Sequence, residues 1–579
     1  MKTTSLIEPL EARIAPATLA FINPTTATYS DVDGDLVTVK FSKGILSAGN
    51  LADVLITAPA GPLGGEQLQK IDLTIIGLAA SPDGTAIAIT AKPQNIASVL
   101  RGDGLANVGH IDGTGHDLGA VKIVGDLGQI DAGDATTTTA ALKSLNALSI
   151  GQLGTTTQAG GDLHSEIKGA LGSLTVGGNV KGAFIDVTPL VDGKIGSITI
   201  GGSVVGAMAD NTGRISASGS IGKVKVGGNI EGGGGFASGR INAGGALGSV
   251  TIGGSLLGGT NVNSGSLVSG DAMGAVKIGG NIQGGSSTSA GAIGSNTTIA
   301  SVTVGGSLIG GAGASSGGIL ASLALGPVKI GGDVRGGSIS GTAFTQHTGY
   351  IHGARIVSVF IGGSLIAGTD TSSSSLVTSA AIVADDDIGS VTVLGSLVGN
   401  RTGDAVDVTI SARGQNGVSA ASKTDVAIGK ITIGGRVEFA TILAGYDVLL
   451  VAQNADAQVG TVTVGGDWIS SHLIAGVQAN TGGFGDRDDS RITGGKDNVA
   501  TSKIAGLIIK GSALGTLDSI DTALFGIEAQ QLGKITIGGT AVALVPGVSN
   551  DLFAARRVLG AALGTGDIDG FDFHAIEVI

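Results

Sequence analysis

The chain has 579 residues, a net charge of −13, 106 glycines, no cysteine and only 3% aromatic residues, yet 42% of it is hydrophobic. The missing cysteines exclude disulfides and thiolate metal sites, and the acidic balance argues against nucleic acid as a partner, because phosphate contacts need a basic surface. The chain is too apolar for a disordered protein and has no Gly-X-Y triplet repeat, so its glycines indicate a tightly turning all-β structure.

Residues 1–16 are predicted to be a leader or sorting-like segment. Glu8, Glu11 and Arg13 interrupt the place where a secretory signal would have its apolar core. No apolar run along the chain approaches the ~18 residues that a membrane-spanning helix needs. The sequence therefore predicts no transmembrane segment.

Residues 17–103 lack the repeat described below and are predicted to form a small N-terminal β unit. Strand-like runs occur at 17–22, 36–41, 71–76 and 85–90. We expect this unit either to cap the repeat or to pack as a separate domain, because the open end of a stack of strands must be covered.

The sharpest local motif is Asp31-Val32-Asp33-Gly34-Asp35. Alternating carboxylates around a glycine are a way to gather oxygen ligands for Ca²⁺, so Asp31, Asp33 and Asp35 are candidate calcium ligands. Two strand-like runs flank the motif, and a simple Asp-Gly hairpin turn explains it as well. Both interpretations remain open at this stage.

One sequence block recurs along residues 104–546 and predicts the fold. It has the form [Leu/Ile]-Gly-x-[Val/Ile]-[Thr/Lys]-[Val/Ile]-Gly-Gly-[Ser/Asn/Asp]-[Leu/Val/Ile]. Copies begin at Leu118, Leu171, Ile195, Ile221, Leu247, Met273, Ile299, Leu325, Ile356, Ile388, Ile428, Val459, Ile504 and Leu532. Such a repeat is typical of a solenoid, so we predict a right-handed parallel β-helix (β-solenoid) of about 14 coils.

The spacing of the copies separates regular coils from lengthened ones. Residues 171–337 repeat with a period near 26, whereas later coils carry insertions, among them 338–356, 400–427 and 469–503. We expect all insertions to leave the stack at one corner, where they do not disturb the stacking.

Each regular coil is predicted to contain three short strands. In one coil these are 249–252, 255–257 and 266–268, with Val250 and Ile252 pointing inward because side chains alternate along a strand. Gly253 and Gly254 are assigned to a tight corner because glycine accepts a positive φ without steric cost.

Two outward positions alternate from coil to coil, one between Thr and Lys and the other between Ser and Asn. Equivalent residues are vertical neighbours in a parallel stack, where adjacent like charges are destabilising. Thr251 and Thr303 on either side of Lys277 would roughly double the separation of the lysines to ~9.6 Å. Duplication of a two-coil unit explains the alternation equally well.

Residues 547–579 follow the last copy and are predicted to form a C-terminal cap. Segment 551–559 has enough helix-forming residues to predict one or two helical turns. Further on, Asp567, Asp569 and Asp572 repeat the spaced carboxylates of the N-terminal motif and are a second candidate calcium site.

The residues that most often carry catalysis are scattered. The seven histidines show no metal-ligand spacing, and we expect His347 and His352 to be surface residues of the insertion after Lys329. We also expect Asp486, Asp488 and Asp489 to lie in a solvated loop. No nucleophile elbow or phosphate loop has its required context. The chain is therefore predicted not to be an enzyme.

Several segments resemble a known class of bacterial proteins. The block GSVTIGGSLLGG, the segment TYSDVDGDLVTVKFSKG and the ending GKITIGGTAVALVPG are similar to the large "β-strand repeat-containing" proteins of bacteria. The opening IEPLEARIAP resembles the LEPR-XLL segment, although Ala12 stands where Pro is expected and Ala15-Pro16 replaces the two leucines. The resemblance covers most of the chain and implies an envelope or extracellular setting, not a reaction.

These observations predict a non-catalytic, adhesin-like structural protein of the cell surface or the extracellular space, presenting variable loops on a β-solenoid rod. A glycan-binding module that uses the insertions is the alternative, and a polysaccharide-active β-helix enzyme is the third hypothesis. Calcium is the only cofactor suggested. Glycans or other envelope components are the expected partners, and self-association is compatible with the repeat.

Overall fold

A computed structural model describes residues 19–60, 65–96, 99–134, 139–158, 161–188, 193–342, 345–414, 425–486, 488–493, 500–515, 524–555 and 572–578. Strands make up 54% of the protein and helices 2%, which confirms the all-β class. The chain divides into two compact units, the first comprising Met1–Gly202 with Ser216–Gly219 and the second Ser203–Ile215 with Ser220–Ile579. Within the described ranges, no helix is long and apolar enough to cross a membrane.

The first unit begins with mostly antiparallel strands and one short helix, Leu51–Val54. The strands are Ala20–Asn23, Thr26–Ser30, Leu36–Phe41, Leu55–Ala60, Gly65–Asp72, Thr85–Lys92, Gln94–Ile96 and Val99–Arg101. The strand predicted at 71–76 is wrong: it ends at Asp72. The Asp72 carboxylate accepts a hydrogen bond from the Thr74 amide at 2.9 Å, a local turn that stops the strand.

Parallel stacking begins inside this unit. Gly65–Asp72 pairs with Val108–Thr114, and Thr85–Lys92 pairs with Leu118–Ile123, the first copy of the block. The stack continues through Leu142–Ala147, Leu171–Val176 and Ile195–Ile200. Its remaining elements are Asp126–Gly133, Ser149–Ile150, His164–Lys168, Val180–Lys181, Phe184–Thr188 and the 3-10 helix Gly154–Thr157.

The copy of the block at Leu142 was missed in the sequence. Leu142 aligns with Leu118 on one side and with Leu171 on the other, so it occupies the same position as the recognised copies. Ser149 pairs with Asp126, the polar position of the first copy, so Leu148 alone stands where most copies have Gly-Gly, and the corner is one residue shorter. The strand Leu142–Ala147 therefore departs from the sequence pattern, although its hydrogen bonds place it in register with the copies at Leu118 and Leu171.

The second unit contains three stacks of parallel strands. The first stack holds the sequence blocks: Ile221–Val226, Val250–Ile252, Met273–Ile278, Ile299–Val304, Val328–Ile330, Val359–Ile361, Ile388–Val393, Asp425–Ile433, Ala457–Val464, Lys503–Ile509 and Gln531–Ile537. The second stack has two-residue strands: Val204–Val205, Ile230–Glu231, Leu256–Leu257, Ile282–Gln283, Leu308–Ile309, Val334–Arg335, Leu365–Ile366, Leu397–Val398, Val437–Glu438, Trp468–Ile469 and Ala513–Leu514.

The third stack completes each coil. Its strands are Arg214–Ala217, Arg240–Ala243, Leu267–Ser269, Ile293–Ser295, Ile319–Leu325, Thr345–Ile356, Leu376–Ala384, Val408–Ala412, Ala440–Ala444, His472–Ala475, Phe525–Ala529 and Phe573–Glu577. Among the described residues of this unit, four smaller pairings lie beside the stacks: Ile339–Gly341 with Asp370–Ser372, Val477–Gln478 with Ser490–Arg491, Gln531–Ile537 with Thr540–Ala541, and Leu552–Ala555 with Phe573–Glu577.

The three strands predicted for one coil match the structure to within one residue. They are Val250–Ile252, Leu256–Leu257 and Leu267–Ser269, and each pairs with the strand 26 residues further on. Val250 and Ile252 are buried as expected. Thr251 lies beside Lys225 and Lys277, so the predicted separation of the lysines by threonine is confirmed.

The Gly-Gly corner exists, but the predicted reason for it is wrong. Neither Gly253 nor Gly254 has a positive φ. A β-carbon on Gly253 would instead lie 2.2 Å from the carbonyl oxygen of Gly227, and one on Gly254 would lie 2.0 Å from the Oδ1 atom of Asn229. Glycine fits here because successive coils approach closely at this corner, although the first of the two positions is Leu394 or Lys510 in two later coils.

The oxygen that crowds Gly254 belongs to a ladder of side chains, which we call the amide ladder. Asn229 Oδ1 accepts a hydrogen bond from the Ser255 amide at 2.8 Å, and Ser255 Oγ accepts one from the Asn281 amide at 3.0 Å. The same contact links Asn281 to Ser307, Ser307 to Asp333, Asp333 to Ser364, Ser364 to Ser396, and Ser396 to Arg436. Each Ser, Asn or Asp of this ladder thus satisfies a backbone amide of the next coil.

The insertions use two corners of the coil, not the single corner expected. Between the second and third stacks, 15 residues separate Arg335 from Ile351, whereas nine separate their partners Ile309 and Ile319 in the preceding coil. The segments 445–456 and 476–502 lie between the third and first stacks. The connection from the first stack to the second keeps three residues in each coil of the second unit. The corner of constant length, between the first and second stacks, is the one that carries the amide ladder.

The helical turns predicted at 551–559 are also wrong for the residues that the structure describes. Leu552–Ala555 is a strand, antiparallel to Phe573–Glu577. Phe553 and Ala554 are buried in this pairing, and tertiary contacts of this kind override a weak helix propensity.

Crowding at the Gly-Gly corner makes a quantitative prediction. Gly254→Ala should lower the free energy of unfolding by about 1–3 kcal/mol, because the new methyl group overlaps Asn229. Gly294→Ala is the matched control: it lies in another regular coil, and its β-carbon would meet no atom within 4 Å. Urea denaturation measures both. Equal effects of the two substitutions would contradict the close-approach explanation.

Candidate functional site

The aspartate motif lies in the loop of a hairpin in the first unit. Thr26–Ser30 and Leu36–Phe41 pair antiparallel, with Ser30 opposite Leu36, so residues 31–35 form the connection. Gly34 has a φ of 104°, which the turn requires. The hairpin interpretation therefore describes the backbone, and the side chains decide whether the loop is also suited to a cation.

The three carboxylates of this loop converge. One oxygen from each of Asp31, Asp33 and Asp35 lies within 4.8 Å of the other two. Asp31 Oδ1 accepts hydrogen bonds from the amides of Gly34 at 3.1 Å and Asp35 at 2.8 Å. Asp31 is thus fixed by its own loop, and the other two carboxylates are gathered beside it.

A second loop closes over the carboxylates. The amide of Asp103 donates to Asp33 Oδ2 at 3.0 Å, and that of Gly104 donates to Asp35 Oδ2 at 2.7 Å. A β-carbon on Gly102 would lie 2.0 Å from Asp35 Oδ1, so only glycine fits there. Asp35 is fully buried, and among the described residues its Oδ1 atom has no hydrogen-bond partner.

A cavity of about 200 Å³ adjoins the motif, lined by Tyr29, Asp31, Asp33, Glu66 and Asp103, together with Val32, Gln67, Leu105 and Asn107. Burial raises the pKa of Asp31 to about 7, and the adjacent Asp33 adds to the rise. Burial also raises the pKa of Asp35. Carboxylates held together in this way repel one another unless a proton or a cation lies between them.

This arrangement fits a hard cation. Ca²⁺ takes six to eight oxygen ligands with flexible geometry, and this site offers three converging aspartates, one of them with an unsatisfied buried oxygen. Of the second predicted set, Asp567 and Asp569 lie outside the described residues. Asp572 directly precedes the strand Phe573–Glu577, and its carbonyl oxygen accepts the Phe525 amide.

The histidine interpretation was wrong for His347 and His352. Both lie in the strand Thr345–Ile356, because the insertion extends the third stack instead of forming a surface loop. His347 is buried, its Nδ1 atom lies 2.6 Å from Thr378 Oγ1, and its ring stacks on Tyr350. His352 lies 3.2 Å from a carboxylate oxygen of Asp385. These contacts describe structural roles.

A further group, His110, Asp112 and Asp131, also has metal-like spacing. Its charges are already paired: His110 Nε2 lies 2.8 Å from Asp131, and Lys70 lies 2.9 Å from Asp112. A lysine ammonium within the group competes directly with a metal ion, so this cluster is an ion-pair network of stacked strands.

Sequence reasoning missed a buried acidic cluster in the second unit. Asp489 was expected in a solvated loop, but it is buried and lies next to Glu528 of the third stack. Burial raises the pKa of Glu528 to about 10, with Asp489 contributing, and burial raises the pKa of Asp486 to about 6. The strand letters Phe-Gly-Ile-Glu-Ala gave no sign that this glutamate faces other acids.

The stacked parallel strands define this chain as an all-β repeat protein. No known protein family, characterised protein or solved structure matches it significantly. The properties of its sites therefore follow from their own geometry.

The buried His347 predicts a pH-dependent stability. Burial, with His352 nearby, lowers the pKa of His347 to about 4. At this histidine the unfolded chain takes up a proton near pH 6.5, whereas the folded chain does so only near pH 4. The free energy of unfolding should therefore be highest above about pH 6.5 and should fall by at most ~3 kcal/mol as the pH is lowered to about 4.

His347→Asn should remove this component, because asparagine tolerates the φ of 63° and occupies the equivalent corner at Asn211 and Asn263. Urea denaturation at neutral pH and near pH 4.5 compares the variant with wild type, and His116→Asn, beside the exposed Asp83, is the control. An unchanged pH dependence in His347→Asn would show that the buried ring does not contribute.

Proposed function

We propose that this chain is a non-catalytic structural repeat protein of the bacterial cell surface or the extracellular space, built as a right-handed parallel β-helix. About 14 recognised coils, with the additional block at Leu142, would form a rod that displays loops in an adhesin-like manner. The amide ladder is the observation that carries the proposal. A contact repeated from Asn229 to Arg436 maintains a scaffold and needs no bound substrate.

The positions of the insertions support a display role. They emerge where the backbone is not tied by Gly-Gly, so their length and sequence can vary without disturbing the stacked strands. Glycans or other envelope components are the partners we propose for these loops. The envelope setting is supported by the resemblance of the leader and repeat segments to bacterial surface proteins.

Protease treatment of intact producing cells tests the surface setting. We expect cleavage within the insertions at 445–456 and 476–502, leaving fragments that contain the regular coils 220–335 uncut. A cytoplasmic marker protein should remain whole in the same sample. A chain that is protected until the cells are lysed would refute the surface proposal.

We also propose that Asp31, Asp33 and Asp35 bind one Ca²⁺ that locks the hairpin loop to residues 102–104. Asp35→Asn tests this sharply, because an amide keeps the hydrogen bond from Gly104 but removes the charge. In EDTA the variant should be at least as stable as wild type, since a buried charge without a cation is costly. Calcium at about 100 times its Kd should raise the free energy of unfolding of wild type by ~2.7 kcal/mol through binding at this loop. The variant should lack this contribution.

Hydrogen–deuterium exchange of peptides covering 31–35 and 102–104 gives the local measurement. Calcium should slow exchange there in wild type and in the control Asp53→Asn, which changes an exposed aspartate of the helix Leu51–Val54. Equal protection by calcium in Asp35→Asn would remove this aspartate from the proposed site.

A further inference from the structure

The buried acidic cluster of the second unit has the features of a second cation site. Its loop side comes from the segment between Val477–Gln478 and Ser490–Arg491, which contributes Asp486, Asp488 and Asp489. One carboxylate oxygen from each lies within 4.8 Å of the other two. Glu528 approaches from the strand Phe525–Ala529.

Glu528 is the observation that separates this cluster from an ordinary acidic loop. It is 0% exposed, and neither of its carboxylate oxygens has a hydrogen-bond partner in the described part of the chain. Its side chain lies over Gly526, where an added β-carbon would be 2.2 Å from Glu528 Oε1 and 3.0 Å from the Gly485 amide. The carboxylate is therefore directed at the loop that carries the three aspartates.

Asp489 connects the loop to this glutamate. Its Oδ2 atom accepts the amides of Gly485 at 2.9 Å and Asp486 at 3.3 Å, which turns the loop inward. Its Oδ1 atom is buried and has no hydrogen-bond partner within the described ranges. Asp489 and Glu528 together present three unsatisfied buried oxygens, which is costly unless a positive charge is nearby.

The described basic residue nearest in sequence does not supply that charge. Arg491 follows Asp489 by two positions, but its guanidinium pairs with Asp456 at 2.7 Å. His574 lies on the strand next to Glu528, opposite Gly526, and its Nδ1 atom contacts the carbonyl oxygen of Gly485. Arg491 is therefore engaged by another carboxylate, and His574 by the backbone of the loop.

The cluster is also accessible from solvent. Asp486 and Asp489 line an open cleft of about 500 Å³. Two further acids of this cleft are used structurally, since Asp551 accepts the Val545 amide and Glu577 accepts the amides of Leu532 and Asn550. A cation can enter through the cleft and reach oxygens that the backbone does not already occupy.

We propose that Asp486, Asp488, Asp489 and Glu528 bind a calcium ion that fastens the 479–489 loop to the third stack. The donor set consists only of oxygens, which favours Ca²⁺ or Mg²⁺ over transition metals. Ligands from a loop and a strand do not impose regular octahedral geometry, which favours the larger and more adaptable Ca²⁺. This inference is independent of the proposed function and of the site at Asp31.

Calcium titration of the full-length Asp35→Asn protein tests the proposal, because that substitution silences the N-terminal site. Isothermal titration calorimetry should detect one remaining equivalent of Ca²⁺. Adding Glu528→Gln should weaken its binding at least ~10-fold, since even outer ligands of metal sites matter by that factor. Glu438→Gln is the matched control, because Glu438 pairs with Arg436 and lies outside the cluster.

Hydrogen–deuterium exchange shows where calcium binds, and a second variant serves if the first does not fold. Calcium should protect peptides from 479–489 in the Asp35→Asn protein and not after Glu528→Gln. Asp486→Asn, a partly exposed substitution at the rim, should also weaken binding if Glu528→Gln fails to fold. No calcium binding in the Asp35→Asn protein would overturn the proposal, as would undiminished binding in Glu528→Gln. An absence of calcium binding would indicate that Asp489 and Glu528 share a proton instead.

Discussion

The close approach of successive coils at the Gly-Gly corner is the constraint on which the second unit depends. Backbone atoms there come so near that even one methyl group overlaps them, and the following Ser, Asn or Asp reaches across to a backbone amide of the next coil. An amide left unpaired at this depth would cost about 1–3 kcal/mol. The corner therefore needs a glycine at its second position and, except at Arg436, a short polar residue after it. This requirement explains why its length stays constant while the other two corners lengthen.

The strand pairing could be predicted from the sequence because the block carries its own register. Apolar residues at alternate positions determine which side chains are buried, and the recognised starts at Leu325, Ile356 and Ile388 pair with one another as the alignment implies. The physical role of Gly-Gly was not predictable in the same way. A positive φ is a property of one residue, whereas close approach involves two coils, and the sequence alone does not give the distance between them. The copy at Leu142 was hidden for a related reason, since its corner is shorter and lacks the glycines.

The two acidic sites differ in how far the sequence could predict them. Asp31, Asp33 and Asp35 lie within five residues, so a single turn brings them together and the motif was visible. Asp489 and Glu528 are separated by most of a coil, and their meeting depends on an insertion folding back over the third stack. His347 was misassigned for the same reason, because an insertion that becomes a strand buries residues that an exposed loop would leave in water. Local sequence patterns thus do not predict burial or contacts within long insertions.

The regular coils and the acidic sites differ in whether their charged and polar groups are satisfied within the protein. Along the regular coils, lysines are spaced by threonine and polar side chains satisfy neighbouring amides, so stacking needs no external partner. In the hairpin loop at Asp31 and in the insertion at Asp489, unsatisfied carboxylate oxygens are buried against backbone that other contacts already hold. Buried like charges persist only where the surrounding structure compensates for their repulsion or a positive charge relieves it. Regular coils with satisfied polar groups can supply that compensation, so we expect ions to affect the order of the loops more than that of the strands.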